Sequence, residues 1–227
     1  MAQELESDIV LPHLSPRLQA IADMAEPASG RVIDIGTDHA YLPIWLTGNG
    51  KCNSAIASDL RSGPIMRAKA NISKYGFSDK IDARIGDGLE DIVLAEDDTV
   101  IIAGMGGLEI IKILDRRSGD IPGGMTLIIQ PQRSVYELRY WLSQNEFVIA
   151  DESIVHDRRH FYTIMKVKFD ACQVNDAVRI DELSALIGPI LMEKYQDNAE
   201  DPTWINYLKD KRNTLAKAVR GKPELTE

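Results

Sequence analysis

Three acidic positions stand at or just beyond the ends of successive apolar runs: Asp34 or Asp38 around VIDIGTD, Asp59 after AIAS, and Asp87 in RIGDGL. Gly36 follows the first, and Gly86 and Gly88 flank the last. A carboxylate so placed accepts hydrogen bonds or attracts a cation, and a neighbouring glycine lets backbone come close to a ligand. RVIDIGTDHA, residues 31–40, is the most telling stretch. A strand running through a glycine turn into a helix, expected here from His39, is how many α/β folds meet a nucleotide-like ligand. The dinucleotide version, G-x-G-x-x-G, sets bare backbone and a helix N-terminus against a pyrophosphate. Here Thr37, Asp38, His39 and Ala40 follow Gly36, so the later glycines are missing and a carboxylate is added. A carboxylate repels a pyrophosphate and suits an ammonium or a hydroxyl.

S-adenosylmethionine (SAM) presents an ammonium, a sulfonium and ribose hydroxyls, and no phosphate. The pattern therefore favours methyl transfer over hydride transfer. Asp59 lies where an acid can accept from both ribose hydroxyls, and Asp87 where it can accept from the adenine amino group. The fourth strand runs into AGMGG at 103–107, where Gly104 and its neighbours let backbone pass close to a ligand. The fifth ends in QPQR at 130–133, and the Gln130 amide offers a donor and an acceptor to a flat heteroaromatic ring. The N/D-P-P-Y/F/W signature of exocyclic amino methylation does not follow strand four. His39 is the histidine beside this site, and a lone helix-start residue can equally pack or cap. The one H-x3-H spacing, His156 to His160 in HDRRH, falls in a polar stretch between two β-rich runs, no H-E-x-x-H points to a metal, and no G-x-S-x-G or P-loop points to a hydrolase or NTPase.

The elements that must position these residues alternate. Ser15-Pro16 starts a helix that ends before Pro27. Strands are predicted at 31–35, 54–58, 81–85, 99–103 and 126–130, with helices at 39–47, 61–75, 106–117 and 134–144. Such alternation builds a mostly parallel sheet covered on both faces. FVIADESIV and FYTIMKVKF, with HDRRH between them, read as a hairpin that closes the sheet with an antiparallel strand. The fold expected is α/β, a Rossmann-like class I methyltransferase sheet. After Asp170 apolar residues recur at helical spacing from Ile180 to Leu191 and, beyond QDNAEDP, from Ile205 to Val219. Residues 1–170 are thus expected to form the SAM-binding domain, and 171–227 a C-terminal helical hairpin.

The net charge of −9 is unevenly spread. Between Lys209 and Lys222 stand Lys209, Lys211, Arg212, Lys217, Arg220 and Lys222 against the single acid Asp210, either a solvated helix face or a hold for RNA. Cys52 and Cys172 form no C-x-x-C pair, and no signal peptide or membrane-spanning run is evident. A soluble cytoplasmic protein without disulfide or zinc is expected.

LSPRLQAIADM, VIDIGTDHAYLPIWL, IGDGL, IIAGMGG and LIIQPQ together resemble the bacterial tRNA (adenine-22-N1)-methyltransferases, the TrmK family. LIGPILMEK and PTWINYLKDK resemble that family's C-terminal helical, coiled-coil-like hairpin, so the likeness spans nearly the whole chain. One departure is Gln132, where the family pattern has asparagine. The resemblance implies transfer of the SAM methyl group to N1 of a tRNA adenine in the D-arm region, by a monomer or weak homodimer. It implies Asp34, Gly36 and Asp38 at the methionine end of SAM, with His39 beside them, Asp59 on ribose, and Asp87 with Gly88 and Gly104 around adenine. Met105, Gly106, Gln130 and His39 would frame the target base. Arg17, Tyr41, Lys209, Lys211 and Arg212 would face the tRNA. A small-molecule SAM-dependent methyltransferase and a non-catalytic SAM- or RNA-binding module are the rival readings.

Overall fold

The computed structural model describes residues 10–25, 30–169 and 180–220, with side chains described as far as 216. Cys172, Pro27 and Lys222 lie outside the described residues, as do the side chains of Lys217 and Arg220.

Seven strands form one sheet: β1 (Arg31–Ile35), β2 (Ser54–Asp59), β3 (Ile81–Ile85), β4 (Thr99–Gly106), β5 (Thr126–Arg133), β6 (Phe147–Asp157) and β7 (His160–Phe169). The order is β3-β2-β1-β4-β5-β7-β6. The first five run parallel, and β7 pairs antiparallel with both β5 and β6. The helices α1 (Pro16–Ala25), α2 (Tyr41–Gly48), α3 (Ser62–Lys74), α4 (Gly107–Asp115) and α5 (Val135–Gln144) cover it.

Successive side chains of a strand point to opposite faces, so continuous apolar runs serve two cores at once. Val32, Ile101 and Ile128 face α1, α2 and α3 through Ile21, Ile44 and Ile65. Ile33, Val100, Ile102, Leu127 and Ile129 face α4 and α5 through Ile110, Leu114, Leu138 and Leu142. The strand order reverses between β1 and β4, and a crevice opens at the carboxyl ends of strands where that happens.

α2 starts at Tyr41, two residues later than the expectation from His39. Ala40 sits in the left-handed region (φ 54°), so residues 36–40 are a turn rather than a helix start. The hairpin strands are longer than the sequence suggests: Asp157 pairs with His160, which leaves Arg158 and Arg159 as the turn.

The C-terminal helices are present, with the first arm divided into α6 (Glu182–Ile187) and α7 (Pro189–Lys194) ahead of α8 (Pro202–Arg220). Gly188, at φ 117°, makes the break, and Pro189 opens α7. Ile187, Leu191, Trp204 and Tyr207 form a small core of their own against Ile154 and Phe161 of the hairpin. Beneath it a buried ion pair joins Arg139 of α5 to Glu152 of β6 at 2.8 Å. Arg139 also donates to the carbonyls of Ala185 and Leu186, and Glu152 accepts from the Ile190 N–H.

Candidate active site

β1 delivers Asp34 into the crevice beside β4. A cleft of about 230 Å³ there is lined by Arg17, Asp34, Gly36, Asp38, His39 and Tyr41, among others. The geometry thus gathers four residues that spacing singles out, Asp34, Gly36, Asp38 and His39, with two that the family resemblance implies, Arg17 and Tyr41. Asp34 is buried, and desolvation raises its pKa from 3.8 to about 6, with the Thr37 hydroxyl and the Arg17 charge pulling the other way and the Asp59 charge adding to the rise. Burial disfavours the charged carboxylate, and a cationic ligand would restore it.

Gly36, at φ 80°, makes the turn that follows Asp34. Its N–H and that of Thr37 both donate to the Ser58 carbonyl, at 2.8 and 2.9 Å, which ties the turn to the end of β2. A Cβ on Gly36 would lie 2.2 Å from the Met105 methyl carbon, so Met105 roofs the turn. Asp38 binds Arg67 of α3, whose hydrogen bond holds its pKa below the usual carboxylate value, and His39 Nε2 lies 3.3 Å from it. The His39 ring stacks on Tyr41 at 5.2 Å between centroids.

Asp59 ends β2, buried, and accepts the Arg61 N–H at 2.8 Å. The Gly86 N–H donates to its carbonyl and so brings the start of the Asp87 loop alongside. Asp87 itself takes the guanidinium of Arg116 with both oxygens, at 2.9 and 3.1 Å, and this bond lowers its pKa. A ligand amino group there would have to share it. Gly88 packs on Ile113 of α4, away from open space.

Gln130 is fully buried at the end of β5. Its Oε1 accepts from Arg17 Nη1 at 2.7 Å, and its Nε2 donates to the Pro131 carbonyl at 2.8 Å. Both ends of the amide are engaged inside the protein, so the group that reaches the cleft from this corner is the Arg17 guanidinium. Gly104 lies beside it: a Cβ there would stand 3.8 Å from Arg17 Nη1. Gly106 caps α4 under the Arg133 side chain. Lys209, Lys211 and Arg212 are on α8, and none of them lines the cleft; Lys211 Nζ sits over the Tyr207 ring at 5.0 Å.

Two hydroxyls that spacing does not mark are buried here. Thr37 Oγ1 lines the cleft and steadies the Asp34 carboxylate, while Ser58 Oγ, beside Gly86 at the end of β2, has no hydrogen-bond partner among the described residues. An orphan buried hydroxyl awaits a polar ligand atom. SAM suits this set of groups by its chemistry: buried carboxylates for an ammonium or a diol, and hydroxyls with a glycine turn for its other polar atoms. The signal was present as Thr37 after Gly36 and Ser58 before Asp59, two small polar residues at strand ends.

A three-layer α/β sheet with an acidic, glycine-turned cleft at its switch point defines a Rossmann-like methyltransferase. The methyltransferase-domain family model matches residues 14–165. The chain is 35% identical over 182 residues to the Bacillus subtilis (strain 168) tRNA (adenine(22)-N(1))-methyltransferase, covering 80% of this chain and 76% of that one. It superposes on the crystal structure of the B. subtilis M1A22 tRNA methyltransferase TrmK with a TM-score of 0.76 at 30% identity, over 94% and 90% of the two chains. It also matches M. capricolum TrmK, solved with S-adenosyl-homocysteine, with a TM-score of 0.63 at 26% identity over 91% and 98% of the chains. The chain belongs to the tRNA (adenine(22)-N(1))-methyltransferase family.

Proposed function

We propose that this protein transfers the methyl group of SAM to N1 of the adenine at position 22 of tRNA. The observation that carries the reading is the buried Asp34 carboxylate beside the Gly36 turn, in a cleft also lined by Thr37 and Arg17. SAM, when bound, supplies an electrophilic methyl group. Adenine N1 carries an in-plane lone pair, so no strong base is needed to make the nucleophile. What the protein contributes is alignment and exclusion of water.

In this reading Asp34, Gly36 and Asp38 hold the methionine end of the cofactor. Asp59 takes the ribose, and Asp87, Gly88 and Gly104 border its adenine. Met105 and Gly106 frame the target base with His39 and Tyr41 at its flank. Gln130 acts as a positioning residue that aims Arg17. N1 lies on the Watson–Crick edge, so the base must enter unpaired or flipped.

Residues 1–170 would be the methyl-transfer unit and 171–227 the helical appendage, with Lys209, Lys211 and Arg212 toward tRNA. Support for a monomer or weak homodimer comes from α6–α8, whose Ile187, Leu191, Trp204 and Tyr207 are spent on the chain's own hairpin, leaving Leu183 and Leu215 exposed. In this reading the enzyme works in the cytoplasm, alongside its tRNA substrate. Among the described residues no helix is long and apolar enough to cross a membrane.

The test is methyl transfer from labelled SAM to unmodified tRNA, with the base mapped by reverse-transcription stops. A SAM-dependent stop at position 22 supports the reading; SAM binding without transfer to tRNA overturns it.

A further inference from the structure

Beyond the cleft lies a second depression. A groove of about 600 Å³ runs between residues 131–137, the start of β7 at 160–163, and one face of α8 that includes Lys211 and Leu215. It shares a wall with the cleft. Tyr162 of the groove lies 5.7 Å from the Arg17 guanidinium that lines the cleft. Gln132 of the groove stands 3.6 Å from the place of a Cβ on Gly104.

Most arginines elsewhere are neutralised, apart from Arg17, which donates to Gln130, and Arg212 on α8, which donates to Asn213. Arg31, Arg61, Arg67, Arg84, Arg116 and Arg117 each pair with an aspartate. Arg133, which lines the groove, has no ion-pair partner among the described residues, nor have Arg158 and Arg159 of the hairpin turn just before it. In a chain of net charge −9, arginines left without counterions in one place mark a site for a polyanion. Glu137 and Asp210 also line the groove, which confines the attraction to Arg133 and the hairpin turn. Tyr136, half-buried and stacked on Tyr140, adds an aromatic face, beside Phe161 and Tyr162, whose rings also pack on Tyr207 and under Arg17. Aromatic side chains interleaved with cations suit stacked bases and phosphates, and distinguish a single-stranded nucleic acid from an acidic peptide.

We propose that this groove holds the unpaired RNA segment next to the target base, with phosphates on Arg133, Arg158 and Arg159 and a flanking base on Tyr136. The proposal rests on the methyl-transfer reading and states how that site receives its substrate. None of these residues was marked by the spacing of the sequence.

The experiment compares the wild-type protein with the R133Q/R158Q/R159Q variant and with Tyr136→Leu, using an unmodified tRNA transcript. For the triple variant KM for the transcript rises about tenfold, and the salt dependence of transcript binding weakens by roughly two in slope, near 0.7 per phosphate lost. Its kcat and its affinity for SAM stay at wild-type values. Tyr136→Leu raises KM several-fold with an unchanged salt slope. Transcript binding and KM within twofold of wild type in both variants overturn the groove while leaving methyl transfer standing. A wild-type protein that binds the transcript without methylating it removes the functional reading, and the affinity ratio still decides the groove. An acidic peptide that displaces the transcript through the same arginines, with Tyr136→Leu silent, overturns the RNA assignment.

Discussion

Arg17 and Gln130, 113 positions apart, are joined by a 2.7 Å hydrogen bond from Nη1 to Oε1. The bond pins the first helix to the end of the fifth strand at the rim of the cleft. Gln130 is fully buried and spends its Nε2 on the Pro131 carbonyl, so Arg17 is its only side-chain partner among the described residues. Removing Arg17 leaves a buried acceptor unsatisfied, at a cost of about 1–3 kcal/mol.

Arg17→Met should therefore destabilise the protein by about that amount in urea unfolding, and Gln130→Leu by a similar amount. The double variant should lose less than the sum, because neither partner is then left alone. Strict additivity would show that the bond contributes nothing. In methyl transfer Arg17→Met should lower kcat about tenfold with little change in SAM affinity, since it disturbs the target-base side of the cleft.

Asp34 makes both stability and ligand binding depend on pH. Its pKa is 3.8 in the unfolded chain and about 6 when buried. Between these values the native state keeps a proton that the unfolded chain has lost, so stability from this group falls as pH rises through the window. The loss amounts to roughly 3 kcal/mol above pH 6 and is regained toward pH 4. A ligand with an ammonium prefers the ionised form, so affinity for SAM or S-adenosylhomocysteine should rise from pH 5 to 6 and level off above. Calorimetry across pH 5–8 checks this. Asp34→Asn should bind weakly at every pH, with the slope gone; an unchanged slope would falsify the assignment.

Asp59→Asn keeps the shape of the side chain and discards its charge. The buried carboxylate already accepts the Arg61 N–H at 2.8 Å and has acceptor capacity left for a diol. Charge-assisted hydrogen bonds to hydroxyls contribute about 1.5–3 kcal/mol, so SAM affinity should fall about ten- to a hundredfold while the unfolding midpoint moves little. An adenosine fragment should lose as much as intact SAM does. If only methionine-bearing ligands weakened, Asp59 would belong to the other end of the cofactor.

Much of this was legible in the chain itself because it depends on local periodicity. Val32 to Ile35 and Val100 to Ile102 read as two-sided strands, and both are. The acids at strand ends could be placed because a parallel sheet brings its carboxyl ends to one edge. Partners distant in sequence were not legible: Arg116 on Asp87, Arg67 on Asp38 and Arg17 on Gln130 follow from crossovers rather than from spacing. The apolar repeat from Ile180 to Leu191 reads as one helix because periodicity survives the break. Gly188-Pro189 within it was the available sign of two.

The pair Arg139–Glu152 explains why that break must be glycine and gives the last test. Both side chains are fully buried, and a Cβ on Gly188 would come within 2.7 Å of Glu152 Oε2 and 2.8 Å of Arg139 Nη2. The backbone of the C-terminal arm thus lies directly on a buried charge pair and hydrogen-bonds to both members through Ala185, Leu186 and Ile190. Breaking such a pair from one side leaves an uncompensated buried charge, at about 3–5 kcal/mol, whereas replacing both partners by apolar groups can be near neutral. Arg139→Met should accordingly cost several kcal/mol in urea unfolding, and Arg139→Met/Glu152→Leu markedly less. Gly188→Ala should be as damaging as the single change, since the pair has nowhere to retreat. If the single and double variants unfolded alike, the pair would be no more than a by-product of packing, and the arm would be held by Leu191, Trp204 and Tyr207 alone.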